Sequence, residues 1–224
     1  MVNINNCLIC LNPINESIHL LNLFQRPLNI CSTCKGKLTF DESVDRCERC
    51  LKILAQEEVE CLDCLWLSNK YTLINKLFTL YDYKGVVKSL IHQYKSNGDI
   101  ALSDIYTIPR KLTLSYDIVI PAPIHINKLK NRTFDHVAYV LDKQHIQYQQ
   151  IFITKERRKQ SDLSKRERAH QQNPFEITRE IPLENKRILL VDDIYTTGLT
   201  IHQMAELLFM RKIRKVDALT FARG

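Results

Sequence analysis

Two adjacent carboxylates and a hydroxyl-rich glycine turn follow a short apolar run in Arg187-Ile-Leu-Leu-Val-Asp-Asp-Ile-Tyr-Thr-Thr-Gly-Leu-Thr200, and residues of these types in this order can hold a phosphorylated sugar. Asp192 and Asp193 can accept hydrogen bonds from vicinal ribose hydroxyls. Thr196, Thr197 and Thr200 add donors, Gly198 lets the backbone approach closely, and the amides from Gly198 through Leu199 open a helix whose dipole favours an anion. The run Ile188 to Val191 predicts a buried parallel strand, which would deliver the acids to the C-terminal edge where open α/β sheets bind ligands. Ile201 to Lys212 then has the spacing of an amphipathic helix. An ordinary Asp-capped helix start can carry the same letters, so the reading requires an open concavity above the turn.

The stretch resembles the 5-phosphoribosyl 1-diphosphate (PRPP) motif of type I phosphoribosyltransferases at Val191, Asp192, Asp193, Ile194, Thr196, Thr197, Gly198 and Thr200. Tyr195 stands where an aliphatic residue is more usual. Nucleobase salvage enzymes of the 6-oxopurine type carry an Asp general base at the position of Thr196, and that carboxylate is absent here.

A second chemistry is written in the N-terminal part. All eight cysteines form C-x-x-C pairs: Cys7 and Cys10, Cys31 and Cys34, Cys47 and Cys50, Cys61 and Cys64. A two-residue gap lets both thiolates of a knuckle face one ion, and two knuckles complete a tetrahedral four-thiolate zinc site. Two structural zinc ions are the economical reading, most simply with the first two pairs on one and the last two on the other. The intervening segments are too short for a core, so metal binding should supply most of this module's folding free energy. Disulfides are the alternative, and they are uncommon in a cytosolic chain.

These residues need elements to position them, and 224 residues suffice for one α/β domain plus a small appendage. A hydrophobic fraction of 45% argues for a folded chain. No apolar run approaches the roughly 18 residues of a membrane span, and the N-terminus lacks a signal-peptide pattern, so a cytoplasmic location is expected. The net charge of +7 is uneven: the first 70 residues hold seven Lys/Arg against nine Asp/Glu, so the basic excess lies beyond them. A basic surface suits nucleic acid, but PRPP and pyrophosphate are anions too.

Trp66 to Leu80 reads as a connector. Tyr81 onward reads as a strand followed by a helix after Gly85, with a turn at Lys95 to Asp99. Tyr116 to Pro123 is a second strand whose proline exit is a candidate pyrophosphate loop, Ile151 to Thr154 another strand, and Val216 to Ala222 the last. The segment between Ile124 and Arg187 is basic. Its Lys and Arg residues fit either a solvated face or an anion surface.

Taken together, Tyr81-x-Tyr83-x-Gly85, Lys88, Lys95, Gly98-Asp99, Pro121-x-Pro123, Arg132-x-Phe134, Gln160-x-x-Leu163, Glu167-Arg168 and the Asp192 motif resemble the ComF family over essentially the whole chain. The resemblance implies a double zinc ribbon over residues 1–70 and a type I phosphoribosyltransferase-like parallel sheet over 71–224. It implies a role in natural transformation, the uptake of external single-stranded DNA, with an ATP-driven DNA translocase or helicase as partner. Arg157, Arg158, Lys159, Lys165 and Arg168 become candidate DNA contacts. Tyr81, Tyr83, Tyr94 and Phe134 could stack on bases, although most aromatics at such spacing are core. The enzymatic alternative moves ribose 5-phosphate from PRPP to a nucleobase or other acceptor. Asp192 and Asp193 would then orient the ribose, Mg2+ would bridge the diphosphate, and Lys95 or Arg132 would neutralise the leaving group. The family usually has Arg-Gly-Phe-Asn-Gln where this chain has Arg132-Thr-Phe-Asp-His136, so only Arg132 of that motif is carried over.

Overall fold

A computed structural model of the chain describes residues 5–14, 29–56, 58, 61–125, 129, 134–154 and 173–224. Its centre is a four-stranded parallel sheet of β3 (Leu77–Asp82), β4 (Ile118–Pro121), β7 (Arg187–Tyr195) and β8 (Lys215–Arg223), in the order β3-β8-β7-β4. Strand alternation explains its two buried faces. Ile188 and Leu190 of β7 point to one hydrophobic cluster, while Leu189 and Val191 point to another.

The second cluster is covered by α3 (Gly85–Ser96) through Val87, Leu90, Ile91 and Tyr94, and by α5 (His136–Lys143) through Val137, Val140 and Leu141. Against the first lies α6 (Leu199–Phe209), with Ile201, Met204, Ala205 and Leu208 inward at the expected helical spacing. Near-continuous apolar strands are what a sheet covered on both faces requires.

Several expectations change at their edges. β7 continues to Tyr195, four residues beyond Val191, because β8 pairs with it as far as Tyr195↔Arg223. On the other side β4 stops at Pro121↔Val191, with one further bond from the Ala122 amide to the Val191 carbonyl at 2.7 Å. The stretch expected as a connector contains the end of α2 (Leu62–Ser68) and most of β3, from Leu77 to Leu80. Ile151 to Thr154 does hold a strand, β5 (Phe152–Thr154), but it pairs antiparallel with β6 (Phe175–Ile177) in a separate ribbon. Short helices α1 (Ser32–Lys35) and α4 (Arg110–Thr113) and the small ribbon of β1 (Asn5–Asn6) and β2 (Pro13–Ile14) complete the named elements. Among the described residues no helix is long and apolar enough to cross a membrane.

The cysteine-rich part is joined to the sheet by polar bonds as well as packing. The Arg46 guanidinium meets the buried Asp82 carboxylate at 2.8 Å, the Leu77 amide donates to the Arg49 carbonyl at 2.7 Å, and Cys50 lies in the same hydrophobic cluster as Ile74 and Leu77.

Candidate functional site

Because β4 ends before β7 does, residues 192–195 have, among the described residues, a strand partner on one side alone, and the register steps back here into a notch in the strand ladder at the C-terminal edge of the sheet. Asp192 and Asp193 are the first residues past that departure. The turn follows immediately, with Thr196, Thr197 and Thr200 exposed, Leu199 half-buried and Gly198 buried. Gly198 is the N-cap of α6 at φ 77°, a left-handed backbone suited to glycine, and no side chain caps the helix. The Leu199 amide makes a long 3.5 Å bond to the Thr197 hydroxyl, and the first-turn amides have no acceptor inside the helix, as an anion site requires.

Two buried groups shape this turn from beneath. His202, one turn into α6, bonds through Nδ1 to the Gly198 carbonyl at 2.9 Å, and its Nε2 accepts the Ile74 amide at 3.5 Å. Those roles define the neutral tautomer, and burial, chiefly, lowers the imidazole's affinity for a second proton. Tyr195 is buried directly under Gly198, so that a Cβ added there would sit on the Tyr195 hydroxyl. Gly198→Ala should combine that clash with the positive φ and cost on the order of 1–3 kcal/mol of stability. Urea denaturation checks this; an unchanged midpoint would refute the tight seat.

The acidic pair is not a symmetric pair. Asp193 is buried, its Oδ2 held by the Lys95 ammonium and, at 2.7 Å, by His136 Nε2. Asp192 is half-buried, and its Oδ1 accepts the Asp193 amide at 2.8 Å. Burial first, then the charge of Asp193, pushes the Asp192 carboxyl up to about 8. For Asp193 burial acts in the same raising direction, but the His136 hydrogen bond and the Lys95 charge outweigh it and hold the group well below the usual carboxylate range. The notch thus offers Asp192 as the acceptor still open to a ligand, while Asp193 organises a buried ionic cluster behind it.

Lys95, expected at the site, is brought there from the last turn of α3. His136 was missed. The changed residues around it have clear local roles: Asp135 caps α5, accepting the Val137 and Ala138 amides at 3.0 Å each, which leaves His136 at the first helical position facing Asp193. An Asp immediately before an apolar-spaced helix is a readable N-cap signal. Tyr94 is core rather than a stacking platform, buried with its hydroxyl donating to the His136 carbonyl at 2.7 Å and its ring tilted against Tyr106. Arg132, Arg157, Arg158, Lys159, Lys165 and Arg168 lie outside the described residues, as does most of the candidate pyrophosphate loop beyond His125.

The cysteines gather into two sets, Cys7, Cys10, Cys31 and Cys34, and Cys47, Cys50, Cys61 and Cys64, with the four sulfurs of each set within 4.8 Å of one another. Sulfur separations of 3.9 Å for Cys10 and Cys31, 3.7 Å for Cys47 and Cys64 and 3.5 Å for Cys50 and Cys61 match the ~3.8 Å that tetrahedral Zn–S bonds of ~2.3 Å impose. Both sets could hold structural zinc, and four thiolates leave no open position for a substrate. In the second set a hydrogen bond from Cys64 holds the Cys50 thiol down to about 5, whereas the reciprocal bond pushes Cys64 up. Thiolates this close repel one another, so a cation among the sulfurs would favour their joint deprotonation. Purified protein should carry about two zinc ions per chain by elemental analysis, and strong chelation should unfold the N-terminal region. A metal-free protein with that region folded would refute this.

Residues 132–224 match the family model described as the phosphoribosyl transferase domain. Among characterised proteins, the chain is 26% identical over 226 residues to the Competence protein ComFC of Streptococcus pneumoniae (strain ATCC BAA-255 / R6), an alignment spanning 97% of this chain and 99% of that protein. It is 24% identical to the Competence protein ComFC of Bacillus subtilis (strain 168), over 97% of this chain and 95% of that one. The DNA utilization protein YhgH of Escherichia coli O157:H7 is 29% identical over 80% of this chain and 83% of its own length.

Proposed function

Since the chain is a ComF-family protein with a phosphoribosyltransferase-like domain, we propose that it acts in DNA uptake, handling incoming single-stranded DNA on a scaffold whose acidic notch binds PRPP or a related phosphoribosyl group. Residues 1–70 serve as the zinc module and 71–224 as the phosphoribosyl-binding domain, working in the cytoplasm beside an ATP-driven translocase. The DNA half rests on near full-length similarity to proteins named for competence and DNA utilization, and on the basic excess beyond residue 70.

The sugar-phosphate half is carried by one observation: α6 starts at the left-handed Gly198 six residues after the half-buried Asp192, at the strand edge where β4 has ended. In this reading the outward amides and Thr197 and Thr200 hydroxyls grip the 5-phosphate, and Asp192 accepts a ribose hydroxyl. Lys95 and His136 keep Asp193 ionised, and Mg2+ brought in with the diphosphate would offset its charge. Lys95, and Arg132 as the ComF resemblance implies, would meet that diphosphate.

Transfer to an acceptor is the second reading, and it lacks a general base at Thr196. Pyrophosphate release from PRPP, screened with nucleobases, nucleotides and single-stranded DNA, separates the two; sustained release with any acceptor would make the protein a transferase.

For the DNA surface, affinity for a single-stranded oligonucleotide should fall steeply with salt and survive Asp192→Asn. Reversing the charges of Arg157, Arg158 and Lys159 should weaken it about 10-fold or more at low salt. Unchanged affinity would remove that segment from the DNA surface.

A further inference from the structure

The second cysteine set and the phosphate turn meet in a single buried side chain, Arg223, the last residue of β8. Its Nε donates to the Cys50 carbonyl at 2.7 Å and its Nη2 pairs with Asp63 at 3.3 Å, within the Cys61-x-x-Cys64 knuckle. From the same guanidinium, Nη1 donates to the Thr196 carbonyl at 3.1 Å and the Tyr195 carbonyl at 3.3 Å. The Tyr195 ring lies 5.1 Å from the guanidinium carbon, and the Gly224 amide adds a bond to the Tyr195 carbonyl at 2.9 Å.

Peptide geometry converts these contacts into a statement about the opposite face of the turn. In a trans peptide the C=O and the following N–H point in opposite directions, and no cis bond occurs among the described residues. Drawing the carbonyls of residues 195 and 196 inward onto Arg223 therefore turns the amides of Thr196 and Thr197 outward, toward the place where a phosphate would sit. Truncating Arg223 would release both peptide planes. The other two anchors of the guanidinium are set by the knuckles: the Cys50 carbonyl by the Cys47-x-x-Cys50 turn, and Asp63 by the first turn of α2, which starts after Cys61 and carries Cys64. Lys52 fixes Asp63 further, with Nζ at 3.2 Å from its carboxylate.

We infer that Arg223 is a positioning residue that couples the second cysteine set to the phosphate turn, so that the metal-bound knuckles preorganise the amides of Thr196 and Thr197 for an anion. Function at that anion site rests on the sugar-phosphate reading above; the coupling itself does not. The first cysteine set packs against residues Ile9, Ile14 and Ile30 and has no such link to the turn among the described contacts. The two metal sites therefore differ in kind: one holds its own module together, and the other is also the floor of a binding loop.

The test uses the full-length, zinc-loaded chain with Arg223→Lys, which cannot span four acceptors, and Asp63→Asn, which keeps every thiolate and changes a partly exposed side chain. Exchange of the Gly224 amide, which the Tyr195 carbonyl holds at 2.9 Å, should accelerate without ligand in both variants by about 10-fold or more while zinc content stays at that of the wild type. Titration with ribose 5-phosphate should then show weaker binding by about 10-fold in Arg223→Lys and less in Asp63→Asn. If Arg223→Lys does not fold, Asp63→Asn decides alone. Wild-type exchange rates in the folded variants would overturn the inference. Faster exchange in a protein whose wild type ignores ribose 5-phosphate would sustain the coupling and sink the sugar-phosphate reading instead.

Discussion

Asp193→Asn should destabilise the folded protein by about 3 kcal/mol near pH 7, the lower end of what breaking a buried ion pair costs, because Lys95 retains 20% side-chain exposure and can partly rehydrate. The substitution preserves shape but leaves an ammonium group and a histidine facing a neutral amide in the cleft between α3, α5 and β7. The sign of the pH dependence follows from proton binding. Asp193 stays ionised in the folded protein well below the pH at which it protonates when unfolded, around 4. Its contribution is therefore complete above that pH and is lost as the solution becomes more acidic. Urea denaturation of both proteins should show a gap at pH 7 that narrows by pH 3; a gap of constant size would mean that Asp193 contributes through packing and not through charge.

Its neighbour should behave in the opposite way. Asp192 keeps its proton in the folded protein up to about 8, while the unfolded chain releases it near 4. In the interval the native state binds more protons than the unfolded one, so this residue makes stability fall as pH rises. Asp192→Asn removes that penalty and should stabilise the protein by on the order of a few kcal/mol at pH 8, with no gain near pH 4. At pH 9, where Asp192 is ionised, ligand binding should suffer by about 10- to 100-fold, since a ribose hydroxyl would lose a charged acceptor. A residue that costs stability and is required for binding is a functional residue held against the interests of the fold. Equal or lower stability of Asp192→Asn at pH 8 would contradict the account of this pair.

The contrast between two identical adjacent residues marks where sequence reasoning stops. The strand and its acidic pair were legible because Ile188 to Val191 is a buried-strand run ending in turn residues, and the cysteine grouping followed from knuckle spacing plus the smallest loops. α6 and β8 were legible from periodicity. What distinguishes Asp192 from Asp193 is the arrival of Lys95 from α3 and His136 from α5, contacts separated by 98 and 57 residues in sequence, which no local pattern encodes. Arg223 escaped for the same reason: a lone basic residue at the end of a strand becomes meaningful only once Cys50, Asp63, Tyr195 and Thr196 surround it. β5 was readable as a strand, but its partner β6 is fixed by tertiary packing.

The most direct test of the central claim is calorimetric titration of the zinc-loaded chain at pH 9, where Asp192 is ionised, with PRPP and Mg2+, and with ribose 5-phosphate alone, in parallel with Asp192→Asn. Saturable heat in the wild type, sharply weakened in the variant, is the predicted result. An absence of heat with either ligand, or equal affinity in both proteins, would contradict a phosphoribosyl site at the β7 notch.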